Sequence, residues 1–145
     1  LGGLVIIRHK VTQTTERGNN PLVCLELPHY PDEKSTGCAG IKLEIANTDK
    51  ARELGLSNRG QLDDRKGMLF EFGAPQTACM WMKDMHFAID MIWLNGNNTI
   101  TKIERSVPPD SYPQAFCANN TSYVIELSAG AASRAELTVG KQLVL

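Results

Sequence analysis

The stretch Cys79-Met80-Trp81-Met82-Lys83-Asp84-Met85-His86-Phe87-Ala88-Ile89-Asp90-Met91-Ile92-Trp93-Leu94 constrains this chain more than any other. It holds both tryptophans and most of the methionines, and sets one Lys and two Asp in an otherwise apolar run. A run this apolar is buried, and a buried carboxylate or amine must find a partner or lose its charge. Lys83, Asp84 and Asp90 are therefore the first candidates for a structural ion pair or a site.

Read as one extended strand, the run puts Asp90 on a face with His86, Ala88, Ile92 and Leu94. Phe87, Ile89, Met91 and Trp93 take the other face. Both faces are apolar, which predicts a central strand. Asp90 then either lines a pocket as a ligand-binding or general-base carboxylate, or accepts from backbone amides or Arg59. Lys83, on the Trp81 face, either holds an anionic or hydroxylated ligand against the indole or covers the ring with its stem. Arg59 either completes an anion site or pairs with Asp63 or Glu126. Glu126 is a second carboxylate in an apolar strand, Val124-Ile125-Glu126-Leu127. If its strand adjoins that of Asp90, the two make an acid/base pair for a hydrolase or transferase.

Cys79, Met80, Met82, Met85 and His86 are donors of the kind that suit Cu(I), which gives a further alternative. Strand alternation separates Met80 and Met82 from Cys79 and Met85, and methionines commonly fill gaps in cores. No metal or cofactor is expected. Neither a Gly-x-Ser-x-Gly elbow nor a phosphate-binding glycine loop is present.

The 145 residues suit one domain, and a net charge of −1 argues against a nucleic-acid partner. The four cysteines form no Cys-x-x-Cys pair. Three connectivities are open; Cys24–Cys38 and Cys79–Cys117 is the pairing we expect, which implies an extracytoplasmic home. Four free thiols in a cytosolic protein is the competing reading. The opening Leu1-Gly2-Gly3-Leu4-Val5-Ile6-Ile7 reads equally as the trailing end of a membrane anchor, hence a tether, or as an apolar first strand.

Residues 1–40 read as an extension packed on a domain spanning 41–145, with Val23–Leu27 able to add a strand. Ile41–Ile45 alternates as a half-buried strand. A short helix follows between the N-cap Thr48 and Gly55. Met68–Phe72, the Cys79–Leu94 run, Ile100–Glu104 and Tyr123–Leu127 read as strands, with Asn95-Gly96 supplying a hairpin turn. Residues 107–121 read as the longest irregular loop and a possible lid, residues 129–136 as a second short helix, and Lys141–Leu145 as a closing strand. The fold class is α+β, mostly β: a compact curled mixed sheet or small barrel-like domain with two short helices.

Gly55-Leu56 with Arg59, Gly67-Met68-Leu69-Phe70, Trp81-Met82-Lys83-Asp84 with Asp90, and Ile125-Glu126-Leu127 with Gly130 and Gly140 occur in an order that resembles the Domain of Unknown Function 192 family. The resemblance covers roughly Ile41 to Leu145. It implies a β-rich single domain of bacteria or archaea, often behind a signal peptide or anchor, with no assigned activity. The family usually has Asn-Thr where this chain has Asp84-Met85, and often Pro-Leu-Asp where it has Ala88-Ile89-Asp90. The resulting expectation is a binding or accessory module. Its site would use Arg59, Trp81, Lys83, Asp84, Asp90 and Glu126 to recognise a small polar or anionic ligand or a segment of an envelope protein.

Overall fold

A computed structural model describes residues 21–31 and 37–145. The alternatives for Leu1–Ile7, together with His9 and the rest of the first twenty residues, lie outside the described residues. Six strands form one mixed sheet: β1 (Leu22–Glu26), β2 (Gly40–Ala46), β3 (Lys66–Trp81), β4 (Ile89–Leu94), β5 (Ile100–Val107) and β6 (Ala115–Ser128). Their spatial order is β1-β2-β3-β6-β4-β5, with β2 and β3 parallel and every other pair antiparallel.

The parallel step needs a crossover, and helix α1 (Asp49–Leu54) supplies it. The Thr48 hydroxyl accepts from the Ala51 N–H at 3.1 Å, and Gly55 ends the helix with φ 49°. Gly55 is also where the helix end meets the sheet. A Cβ there would stand 3.2 Å from the Phe70 ring. The second helix, α2 (Ala131–Arg134), is a single turn behind Gly130, shorter than expected. Just before it, the Ser128 hydroxyl donates to Asp64 Oδ1 at 3.0 Å.

The two faces of the sheet differ in composition. One packs Ile41, Leu43, Ile92, Leu94, Ile125 and Leu127 against Ala132 and Leu137 beside α2. The other gathers all five methionines with Phe70, Trp93, Val124 and Leu56 beneath α1. Thioether side chains adapt to irregular space, and this is the face that holds a cavity.

Several sequence expectations change here. The Cys79–Leu94 run is not one strand, because β3 ends at Trp81 and a turn occupies residues 82–88. Asp84 takes φ 56° in that turn, a left-handed conformation that Asp and Asn tolerate better than most residues. The expected central strand is β4 alone, buried at all six positions between β5 and β6. Most of the expected 107–121 loop is strand as well. Residues 108–114 hold a short 3-10 turn, and β6 begins at Ala115.

β3 and β6 run on as a bulged antiparallel ribbon, with register shifts between Glu71 and Ala78. Cys79 and Cys117 are direct partners across it and form a disulfide; Cys24–Cys38 is the second. The Asn95 turn also differs in detail. Its positive φ falls on Asn98, not on Asn95-Gly96, and Asn98 N–H donates to the Asn95 carbonyl at 3.0 Å. The C-terminal segment does not make a closing strand. It touches both edges, with Glu26 N–H donating to the Val144 carbonyl at 3.1 Å and Ile100 N–H to the Lys141 carbonyl at 2.9 Å. The sheet stays open, so the curled mixed sheet, not the barrel, is the outcome.

Candidate functional site

A cavity of about 370 Å³ lies between the C-terminal half of α1 and the β3–β6 ribbon. Arg52 to Ser57 form one wall, and Phe70, Phe72, Met80 and Trp81 of β3 form the other. Met85 reaches in from the 82–88 turn, and Glu126 of β6 also lines the cavity. The size falls in the range of small-molecule sites, and the lining is mainly apolar with few polar groups.

Glu126 is the unusual member. It is only 4% exposed, between the cross-strand neighbours Met68 and Met91. No described residue hydrogen-bonds or ion-pairs with its carboxyl. Burial among thioethers and rings pushes the group up from 4.5 to about 8, so the protonated form dominates at neutral pH. A neutral carboxyl offers one O–H donor and spare acceptor capacity to whatever enters.

Arg52, the cation on the lining, is already engaged. Its guanidinium donates to the Glu71 carbonyl and to Asp49 Oδ1, each at 2.6 Å, and lies over the Phe72 ring at 5.7 Å. Trp81 is 52% exposed and meets Tyr112 edge to face, with ring centroids 6.4 Å apart. The two rings make an aromatic lip beside the cavity. Cys79 lines the same side, so the disulfide fixes the ribbon where Trp81 and Met80 leave it.

Of the six residues expected to bind a ligand, the cavity takes Trp81 and Glu126. Lys83 and Asp84 sit exposed on the turn. Their carbonyls accept from the Ser57 hydroxyl at 3.0 Å and the Asn58 N–H at 2.8 Å, tying that turn to the end of α1. Arg59 pairs with neither Asp63 nor Glu126. It makes a two-pronged ion pair with Glu44, at 2.7 and 2.8 Å, and this hydrogen bonding raises the guanidinium pKa further.

Asp90 is fully buried and accepts from the Ser106 N–H at 2.8 Å and the Ala132 N–H at 2.9 Å. It fastens the first turn of α2 to the end of β5. In the β4–β6 register Asp90 opposes Leu127 while Glu126 opposes Met91. The two carboxyls therefore point to opposite faces, and the expected acid/base pair is not assembled. For the copper alternative, Met80, Met82 and Met85 do share one apolar cluster. Cys79 is held in its disulfide, and His86 is exposed.

Sequence reasoning passed over Arg52, Phe70, Phe72, Met80 and Met85 as lining residues. The available signal was the period of two in Met68, Phe70 and Phe72. It places these on one face, which becomes the Glu126 face once Met68 and Glu126 are paired.

Residues 32–145 match the profile of DUF192, a family described as Uncharacterized ACR. The chain belongs to the DUF192 family. Its fold is also similar to two solved structures. One, from Sinorhizobium meliloti 1021, is provisionally named a transcription regulator. It is 32% identical with a TM-score of 0.67, over 72% of this chain and 81% of that one. The other, a protein of unknown function from Novosphingobium aromaticivorans DSM 12444, is 26% identical with a TM-score of 0.67, over 72% of this chain and 76% of that one. No curated protein matches. Within the DUF192 chain, the Asn-to-Asp departure at position 84 falls on the left-handed turn residue, where either side chain is suited.

Proposed function

We propose that this DUF192 chain is an extracytoplasmic binding module that takes a small polar-headed ligand into the cavity beside Glu126. The observation that carries the reading is the unpartnered carboxyl itself. A glutamic acid held among Met68, Met91 and Phe70, with no partner among the described residues, costs stability that a Leu or Met would not. A ligand that completes its hydrogen bonding gives that cost a purpose. The exposed Trp81 at the lip adds a flat apolar surface for the part of the ligand that remains outside.

Two disulfides support a location outside the cytoplasm, since both Cys79 and Cys117 are exposed to any reductant present. A nucleic-acid role, which the name of the Sinorhizobium protein raises, finds no support in a net charge of −1. The Asp90–Glu126 pair that the two-carboxylate alternative would use is divided between the two faces of the sheet.

Screening a library of small fragments by protein-observed NMR, with the methionine methyls labelled, tests the proposal. Hits should move the Met80 and Met85 methyls and lose affinity in Trp81→Ala, which should fold normally. Hits that gather elsewhere, or bind Trp81→Ala and Glu126→Gln as well as the parent, would place binding at another surface.

A further inference from the structure

We infer that the ligand's polar head is a protonated amine, carried on an apolar body, with Glu126 as its counter-ion. This rests on the cavity being the binding site and goes on to name the chemistry of its occupant.

The charges around the cavity favour a cation over an anion. Arg52 and Glu53 are the other charged groups on its lining, both from α1. β3, β4 and the 82–88 turn contribute no charged side chain to it. Arg52 has its guanidinium anchored to Asp49 and to the Glu71 carbonyl, so its charge is already partly offset by a carboxylate before any anion arrives. Arg59 and Lys83, the cations expected to hold an anion, lie off the lining altogether. What the cavity offers freely is a carboxyl flanked by Phe70, Trp81, Met80 and Met85. Aromatic faces attract ammonium groups, and the apolar remainder suits a hydrocarbon body.

An ammonium also resolves the cost of burying the acid. On binding, Glu126 gives its proton to solvent and becomes the carboxylate partner of the ammonium, N–H donating to Oε. The step is a proton release with no other reactant. Raised by burial, the acid is largely protonated at neutral pH, so amine binding there releases close to one proton. An anionic ligand would keep that proton in place as its hydrogen-bond donor and bind less well as pH rises. A neutral alcohol would neither require nor release it.

Titration calorimetry with three probes of matched shape, benzylammonium chloride, benzyl alcohol and sodium benzoate, separates these cases. Each is followed in parallel through the Met80 and Met85 methyl resonances. The expected result is that benzylammonium binds most tightly, with an affinity that rises about tenfold per pH unit up to about pH 8 and proton release below that point. Glu126→Gln should weaken benzylammonium on the order of a hundredfold, far more than it weakens benzyl alcohol. Benzoate as the tightest probe, or benzylammonium no tighter than benzyl alcohol while the methyls respond, would overturn the amine and leave the cavity as a binding site. Methyls silent to all three would overturn the cavity reading and the amine together.

Discussion

Asp90 and Glu126 stand one register step apart on the paired strands β4 and β6, yet their side chains leave the sheet in opposite directions. That single step assigns them different work. Asp90 enters the Leu/Ile face and is consumed by two backbone amides that hold α2 and β5 in place. Glu126 enters the methionine face and has no partner among the described residues. A sheet's period of two turns two similar carboxyls in apolar strands into a structural anchor and a candidate ligand contact.

Removing the anchor should be expensive. Asp90→Ala leaves the Ser106 and Ala132 N–H groups without their acceptor in the interior, which should cost about 3 kcal/mol. Asp90→Asn should cost less, because one oxygen remains while its amide turns a donor toward the other N–H. Urea unfolding of the two variants against the parent gives the ranking.

Glu126 should make stability depend on pH in a defined sense. The unfolded chain loses this proton near 4.5, whereas the folded chain keeps it to about 8. Between those values the folded state binds more protons, so raising the pH through the window lowers stability. The slope is about 1.4 kcal/mol per unit at most, and nothing is lost below the window. Glu126→Gln should flatten this slope and be more stable than the parent at about pH 8 or above. Unfolding free energies at the two ends of the window, for both proteins, give the answer.

Gly67 sits near the start of β3, paired with Leu127 of β6 on one side and Leu43 of β2 on the other. A Cβ there would lie 2.5 Å from the Glu126 carbonyl oxygen and 2.8 Å from a Leu43 methyl. Backbone cannot yield as a flexible side chain does, so Gly67→Ala should destabilise by roughly 1–3 kcal/mol. Gly60→Ala, with nothing within 4 Å of its Cβ, is the control that should change little. Thermal unfolding of the pair makes the comparison.

The Cys79–Cys117 bridge closes a loop with a sequence separation of 38. By chain entropy its removal in a Cys79→Ala/Cys117→Ala double variant should cost about 4 kcal/mol. The ribbon it ties also carries Trp81 and Met80, so probe binding at the cavity should weaken along with stability. Denaturant midpoints and the methyl titration, run on the same variant, read both effects.

Much of the fold was legible because local signals agreed with the outcome. Thr48 and Gly55 bound α1, Ile41–Ile45 alternates, and the apolar Ile89–Leu94 segment is the central strand. The failures share one cause. Periodicity was carried through Lys83-Asp84, where a left-handed turn resets the alternation, so Trp81 and Lys83 never share a strand face. The polar, proline-bearing character of residues 107–121 hid the start of β6, because a two-stranded ribbon exposed on one side can be polar without being a loop. For the site, Trp81 and Glu126 were visible as misfits in apolar company. Arg52 was not, since only the α1 crossover brings it opposite the β3 wall that carries Phe72 and Met80.

The most direct test of the account is a carbon-13 titration of the Glu126 side-chain carboxyl, assigned by difference against Glu126→Gln. We predict a midpoint near about 8, falling when benzylammonium is added. A midpoint in the ordinary glutamate range near ~4.3, unmoved by that probe, would mean the carboxyl is solvated or already partnered, and would contradict the site proposed for this protein.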